Sequence, residues 1–181
     1  MSSQRFSLKP FVSPGITGSL EITGTIGLRS NTLAISYTLV GPLSELVIPE
    51  PTAAPVRKQS LWEETCFEFF LAPLDSDQYW EFNLSPSGHW NIYSFKTYRQ
   101  GMREETAFAS LPFVVSKQTD SLQLFLEADL QGIIQTGGTL QAGVSTVVKS
   151  RNGEMTYWAL THSGQQADFH RRDGFLLELC D

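Results

Sequence analysis

Glu68, Glu81, Asn83 and Asn91 stand inside runs that otherwise read as apolar strands: "LWEETCFEFFL" (Leu61 to Leu71), "YWEFNLS" (Tyr79 to Ser85) and "HWNIYSF" (His89 to Phe95). Paired carboxyls can share a proton, hold a cation or work as acid and base. Carboxylates and amides also take paired hydrogen bonds from the hydroxyls of a sugar, while aromatic faces cover its C–H side. Either this chemistry lines a site or it faces water.

Strand parity groups the residues. In the second run, Trp80, Phe82 and Leu84 share a core-like face, and Tyr79, Glu81, Asn83 and Ser85 share the other. In the first run, Phe67, Phe69 and Leu71 oppose Trp62, Glu64, Cys66, Glu68 and Phe70. The short connection "APLDSDQ" makes the two runs an antiparallel pair. Matching core face to core face requires an odd sum of paired residue numbers. The simplest register sets Glu68 opposite Glu81 and Cys66 opposite Asn83. Such a pair repels, so a cation, a shared proton or a ligand would offset it.

The next connection, "SPSGH", suits a three-residue hairpin loop closed by a left-handed Gly88. That loop pairs Asn83 with Asn91 and Glu81 with Tyr93, and collects Glu68, Glu81, Asn83, Asn91 and Tyr93 on one face. A two-residue turn would swap the faces and bring Trp90 beside Asn83. Residues at this spacing suit a sugar ring.

Other groups invite chemistry. Arg99 ends an aromatic strand and is placed to neutralise the acids or bind an anion; Arg103 reads as a surface arginine near Glu104 and Glu105. His162, Asp168 and His170 fall in a loop between two strands, which raises a metal or acid–base role or a structural one. Their spacing matches no zinc motif. Asp75 and Asp77 lack the remaining ligands of a calcium loop. Metal and cofactor are left undefined, and no phosphate-binding loop or nucleophile elbow is present.

The elements that must carry these residues are strands. Short apolar runs bounded by Gly, Pro, Asn and Ser, without long helical periodicity, predict an all-β sandwich or barrel. Strands are expected at Arg5–Lys9, Ser19–Leu28, Thr32–Val40, Leu43–Ile48, Leu61–Leu71, Tyr79–Ser85, His89–Tyr98, Phe113–Lys117, Leu122–Ala128, Leu140–Lys149, Met155–Leu160 and Gly174–Leu179. Pro49 to Ser60 reads as a loop with three prolines. Arg99–Pro112 and Asp129–Gly138 are expected to be irregular, each with room for a helical turn.

Composition narrows the function. The chain has 181 residues, 41% hydrophobic and 18% charged, with net charge −6, which fits one folded domain over residues 1–181. Nothing forms a basic face for nucleic acid. No apolar run has transmembrane length, and the N-terminal residues lack a signal-peptide stretch, so no membrane partner and a cytoplasmic setting are expected. Cys66 reads as a buried thiol, and neither it nor Cys180 has metal-ligand spacing.

"LWEETCFEFFLAP", "YWEFNLSPSGHWNIYSFKTYRQGMR" and "WALTHSGQQADFHRRDGFLLEL" together resemble the DOMON-like superfamily, and within it bacterial members akin to family-9 carbohydrate-binding modules. The resemblance covers roughly Leu61 to Leu179. It implies a jelly-roll or immunoglobulin-like β-sandwich of about ten antiparallel strands with a ligand site on one sheet. It also implies a sugar stacked between tryptophans, a role open to Trp62 and Trp158, with carboxylate, amide and Arg groups around it. Some members of the superfamily bind haem through Met and His, which here would be Met102 or Met155 with His162 or His170. The expected function is therefore a non-catalytic module for a carbohydrate or related small polar ligand. The alternatives are a haem protein, or a small enzyme using Glu68 and Glu81 or the His162/Asp168/His170 loop.

Overall fold

The computed structural model describes residues 3–12, 19–134 and 137–180. Their strands are β1 (Gln4–Ser7), β2 (Lys9–Pro10), β3 (Glu21–Arg29), β4 (Thr32–Val40), β5 (Cys66–Pro73), β6 (Tyr79–Leu84) and β7 (Trp90–Phe95). They continue with β8 (Arg103–Glu104), β9 (Phe113–Lys117), β10 (Ser121–Asp129), β11 (Leu140–Lys149), β12 (Met155–Ala159) and β13 (Leu177–Leu179). They form two antiparallel sheets. One runs β1-β3-β4-β10-β9; the other runs β2-β12-β11-β5-β6-β7-β8, with β13 beside the first half of β11. The expected all-β sandwich is the structure.

Alternation builds the core. Leu33, Ile35, Tyr37 and Leu39 of β4 are fully buried on one face. They meet Phe67, Phe69, Phe82, Leu84, Trp90 and Ile92 of the opposite sheet in a core that also takes in Phe6 and Leu179, near the two ends of the chain. Phe69 stacks on Phe82 with centroids 4.4 Å apart. Ser30 and Asn31, both left-handed, turn β3 into β4, the two-residue hairpin that suits the twist of paired strands.

The larger sheet carries apolar residues on its other face too. Phe70, Ala72, Tyr79, Tyr93, Phe95 and Phe175 form a second cluster, with Trp62 and Phe169 packed against it. Gly143 of β11 makes room: a Cβ there would come within 2.7 Å of the Phe175 ring. The segment after β12 therefore lies down on the sheet instead of standing off it.

Several boundaries differ from the sequence expectation. Leu61–Glu63 and Leu43–Glu45 are single 3-10 turns, closed by the Glu64 N–H on the Leu61 carbonyl and the Leu46 N–H on the Leu43 carbonyl. Arg5–Lys9 is split at Leu8, whose N–H bonds to Ile22. Residues 99–112 hold the short β8, which pairs with β7. Of residues 129–138, Leu130 to Ile134 make one tight turn, and 135–136 lie outside the described residues.

Candidate functional site

The central hairpin has the register that the Gly88 turn predicts. Asn83 pairs with Asn91 and Glu81 with Tyr93, and Gly88 has φ +93°. The β5–β6 register differs by two residues. Glu68 pairs with Asn83, and Glu81 pairs with Phe70. Face parity is unchanged, but the two acids become diagonal neighbours, a separation of roughly 7–8 Å between strand positions. In this register Leu71 pairs with Trp80, so the hairpin connection encloses two residues more than the simplest register would, while the end of β5 at Pro73 pairs with β11 instead.

The acidic face is buried. Glu68 is 3% exposed and Glu81 6%, while Asn83 and Asn91 have no exposed surface and Tyr93 is buried. The loop before β5, the β7–β8 loop and the segment after β12 cover it. They leave a cavity of about 370 Å³ lined by Trp62, Glu68, Glu81, Phe95, Arg99, Met102, Val147, Tyr157, Ala167, Phe169 and His170.

A hydrogen-bonded chain runs along one wall. The Arg99 backbone N–H donates to the Tyr79 hydroxyl at 3.1 Å, and that hydroxyl lies 2.9 Å from His170 Nδ1. With Tyr79 as the donor, His170 carries its proton on Nε2, which faces Glu81 Oε2 at 3.7 Å. Asn83 Nδ2 donates to Glu81 Oε1 at 2.8 Å, and the Cys66 thiol reaches Asn83 Oδ1 at 3.8 Å. Glu68 sits beyond them, across from Ser145 of β11. Neither Glu68 Oε1 nor Ser145 Oγ has a hydrogen-bond partner.

Burial dominates the protonation of these groups. It lifts the Glu81 carboxyl to about 7, against the opposing pull of the Asn83 hydrogen bond and of Arg99. Burial and the neighbouring Glu81 push Glu68 well above the usual carboxyl range, although the Ser145 hydroxyl beside it works the other way. Burial, then the positive Arg99, lowers His170 to about 4, so its imidazole is neutral at physiological pH. Glu68 therefore holds its proton well beyond the usual carboxyl range, and Glu81 is poised near neutrality.

Arg99 closes the mouth. Its backbone is left-handed, and its guanidinium holds Asp168 Oδ1 at 2.8 Å. The Tyr98 hydroxyl donates to the other Asp168 oxygen. Burial opposes ionisation of Asp168, but the Tyr98 and Arg99 hydrogen bonds hold its carboxyl below the usual range. Asp168 thus serves as the anchor between two loops at the rim.

Two candidate residues lie elsewhere. Trp158 points into the sandwich core, 3% exposed, and its indole N–H bonds to Thr156 Oγ1, so it presents no face to a ligand. Alternation along β12 sends Thr156 and Trp158 inward and Tyr157 outward, and Tyr157 is the wall residue. His162 bonds to the Lys9 carbonyl at 2.8 Å and packs against Phe11, outside the cavity lining. The His162/Asp168/His170 trio is not assembled, because only His170 reaches the acids. Among the described residues, no three His, Cys, Asp or Glu side chains converge as metal ligands.

The haem pairings fare similarly. Met102 and His170 share the cavity, while Met155 and His162 are absent from its lining. His170 meets Tyr79 through Nδ1, and its Nε2 faces the Glu81 carboxyl at 3.7 Å.

Arg57 is a positioning residue that sequence reasoning passed over in the proline-containing loop. Its guanidinium donates to Asn91 Oδ1 at 2.7 Å and to the carbonyls of Glu105 and Phe108, and it lies 4.3 Å over the Trp90 ring. Asn91 then donates to the Tyr93 hydroxyl and to Glu104. An arginine at the head of the polar run Lys58-Gln59-Ser60 gave no signal of these distant partners. Tyr79 and Ser145, by contrast, follow from strand parity.

No family model matches the sequence, and no curated protein does. Solved structures share the fold. A proposed carbohydrate-binding protein from Bacteroides uniformis ATCC 8492 is similar over 98% of this chain and 85% of its own, with TM-score 0.66 and 13% identity. A family-9 carbohydrate-binding module from Caldicellulosiruptor kristjanssonii, in complex with glucose, is similar over 94% and 79%, with TM-score 0.55 and 8% identity. The same organism's family-9 module in complex with cellotriose is similar over 99% and 82%, with TM-score 0.56 and 9% identity. The class so defined is a β-sandwich with the architecture of carbohydrate-binding modules. No helix of the described residues is long and apolar enough to cross a membrane.

Proposed function

We propose that this protein is a non-catalytic carbohydrate-binding module, residues 1–181 forming one domain, and that its sugar site is the cavity on the outer face of the larger sheet. The observation that carries the reading is the joining of aromatic walls to buried polar groups in one cavity of about 370 Å³. Trp62, Tyr157 and Phe169 offer aromatic surface to a sugar's C–H groups, and Glu81, Glu68 and Arg99 offer hydrogen bonds to hydroxyls. The glucose and cellotriose complexes of the two family-9 modules support the ligand class. Asn83 and Asn91 act from behind, orienting Glu81 and Arg57. We also assign the chain to the DOMON-like superfamily and to the cytoplasm, where the free thiols Cys66 and Cys180 stay reduced.

The test is a thermal-shift screen of sugars and nucleotide sugars against the wild type, Trp62→Ala and Glu81→Ala. A saturable rise in melting temperature that both variants lose supports the reading. No shift with any sugar contradicts it.

One observation favours a second reading. A carboxyl near 7 beside another acid is the arrangement of a general acid, so glycoside hydrolysis by Glu81 and Glu68 is the enzymatic alternative. Turnover of aryl glycosides that Glu81→Gln abolishes would establish it; no turnover leaves the binding module.

A further inference from the structure

The polar groups around the cavity are not all satisfied. Its acids are Glu68 and Glu81. Among the described residues of its lining, the one cation is Arg99, which already holds Asp168 at 2.8 Å, and His170 faces Tyr79 and Glu81. Glu68 is 3% exposed, and its Oε1 and the Oγ of Ser145 across from it each lack a hydrogen-bond partner in the geometry, although the Ser145 hydroxyl acts on the carboxyl's ionisation. A buried polar atom left in that state destabilises the protein unless something else completes it. The other titratable groups facing Glu68, the Cys66 thiol and the Tyr37 phenol, are held neutral by burial and supply no positive charge. Around the acids stand the rings of Trp62, Tyr157 and Phe169, whose faces attract a cation.

We infer that the sugar this cavity takes is an amino sugar, bound with its protonated amine directed to Glu81 and Glu68 and its ring against the aromatic wall. The inference rests on the carbohydrate reading above and adds the ligand's charge. An ammonium has three donors and no acceptor, which complements carboxylate oxygens that only accept. Its charge restores the ionised form that burial disfavours, so binding releases protons from the acid pair. A neutral hexose meets the same groups with hydroxyls alone and forgoes the charge-assisted bonds. An N-acetylated sugar carries no charge and brings a methyl group to the acids.

Titration calorimetry with D-glucosamine, D-glucose and N-acetyl-D-glucosamine, just below neutral pH, tests this on the wild type. Glucosamine is expected to bind about ten-fold or more tightly than the other two, the step for one charge-assisted hydrogen bond over a neutral one. Its binding enthalpy is expected to depend on the buffer because protons are released. Glucose or N-acetylglucosamine binding as tightly as glucosamine overturns the inference while leaving the carbohydrate reading in place. Failure of all sugars, in this experiment and in the thermal-shift screen, removes both. Glu68→Gln and Glu81→Gln are each expected to weaken glucosamine about ten-fold. Should either variant fail to fold, the wild-type series decides alone.

Discussion

Glu68 lies directly across from Asn83, and Asn83 donates its side-chain N–H to Glu81 Oε1 at 2.8 Å. The amide therefore stands between two acids that strand pairing alone would leave to repel. It satisfies one acid and spaces it from the other. Asn83→Leu removes that donor from a side chain with no exposed surface. It is expected to destabilise the protein by about 1–3 kcal/mol and to raise the Glu81 pKa further. Urea denaturation reads the first effect and a carboxyl-labelled NMR titration reads the second. A Glu81 pKa that falls would contradict the role given to Asn83.

Opposed pH effects follow from the same wall. Glu81 titrates near 7 in the folded protein against 4.5 ordinarily, so the folded state binds more protons across that interval. Its contribution to stability is full below about pH 4.5 and is lost as pH rises through 7. His170 is lowered from 6.5 to about 4, so there the unfolded state binds more protons and stability rises with pH over that range. The two slopes oppose each other below about pH 6.5. His170→Gln is expected to unmask the slope of the acid pair, to which Glu81 contributes a loss on the order of 3 kcal/mol between acid and neutral pH and Glu68 adds in the same direction. Urea midpoints at a series of pH values check this. A His170→Gln profile parallel to the wild type's would count against it.

Trp62 and Trp158 should separate stability from binding. Trp158 is packed in the sandwich core, so Trp158→Ala is expected to cost about 3–5 kcal/mol. Trp62 is half-buried at the cavity wall, edge-on to Tyr93, so Trp62→Ala is expected to cost much less and to abolish sugar binding. Chemical denaturation and a ligand titration on both variants make the comparison. Equal destabilisation by the two would show Trp62 to be a core residue.

Arg57 ties the loop before β5 to the segment after β8. Arg57→Ala removes hydrogen bonds to Asn91, Glu105 and Phe108 together with the stacking over Trp90. A loss of about 2–4 kcal/mol is expected. Arg57→Lys should recover little of it, because an ammonium cannot reproduce the planar fork. Amide exchange around residues 105–108 should quicken in both variants.

The alternation of β4, β6 and β7 made the sandwich and the two faces of its central hairpin legible, because side-chain period and turn chemistry are local. Gly88 settled the β6–β7 register for the same reason. The β5–β6 register was not legible: the loop between them holds no residue that fixes its turn, and a shift of two preserves parity. Burial of the acidic face was equally hidden, since the covering residues Trp62, Arg99 and His170 come from three separate segments. Trp158 misleads when taken by residue type; the alternation of Thr156, Tyr157 and Trp158 points Tyr157 to the outer face.

The chain has four tryptophans, and their indole N–H signals report on the central claim directly. In a proton–nitrogen spectrum of labelled protein, a sugar that binds in the cavity should move the Trp62 indole signal saturably. The signal of Trp158, bonded to Thr156 in the core, should stay still. That pattern, shifted to higher sugar concentration in Glu81→Gln, is the predicted result. A sugar that binds without moving Trp62, or a Trp62 signal unmoved by every sugar, would contradict the site.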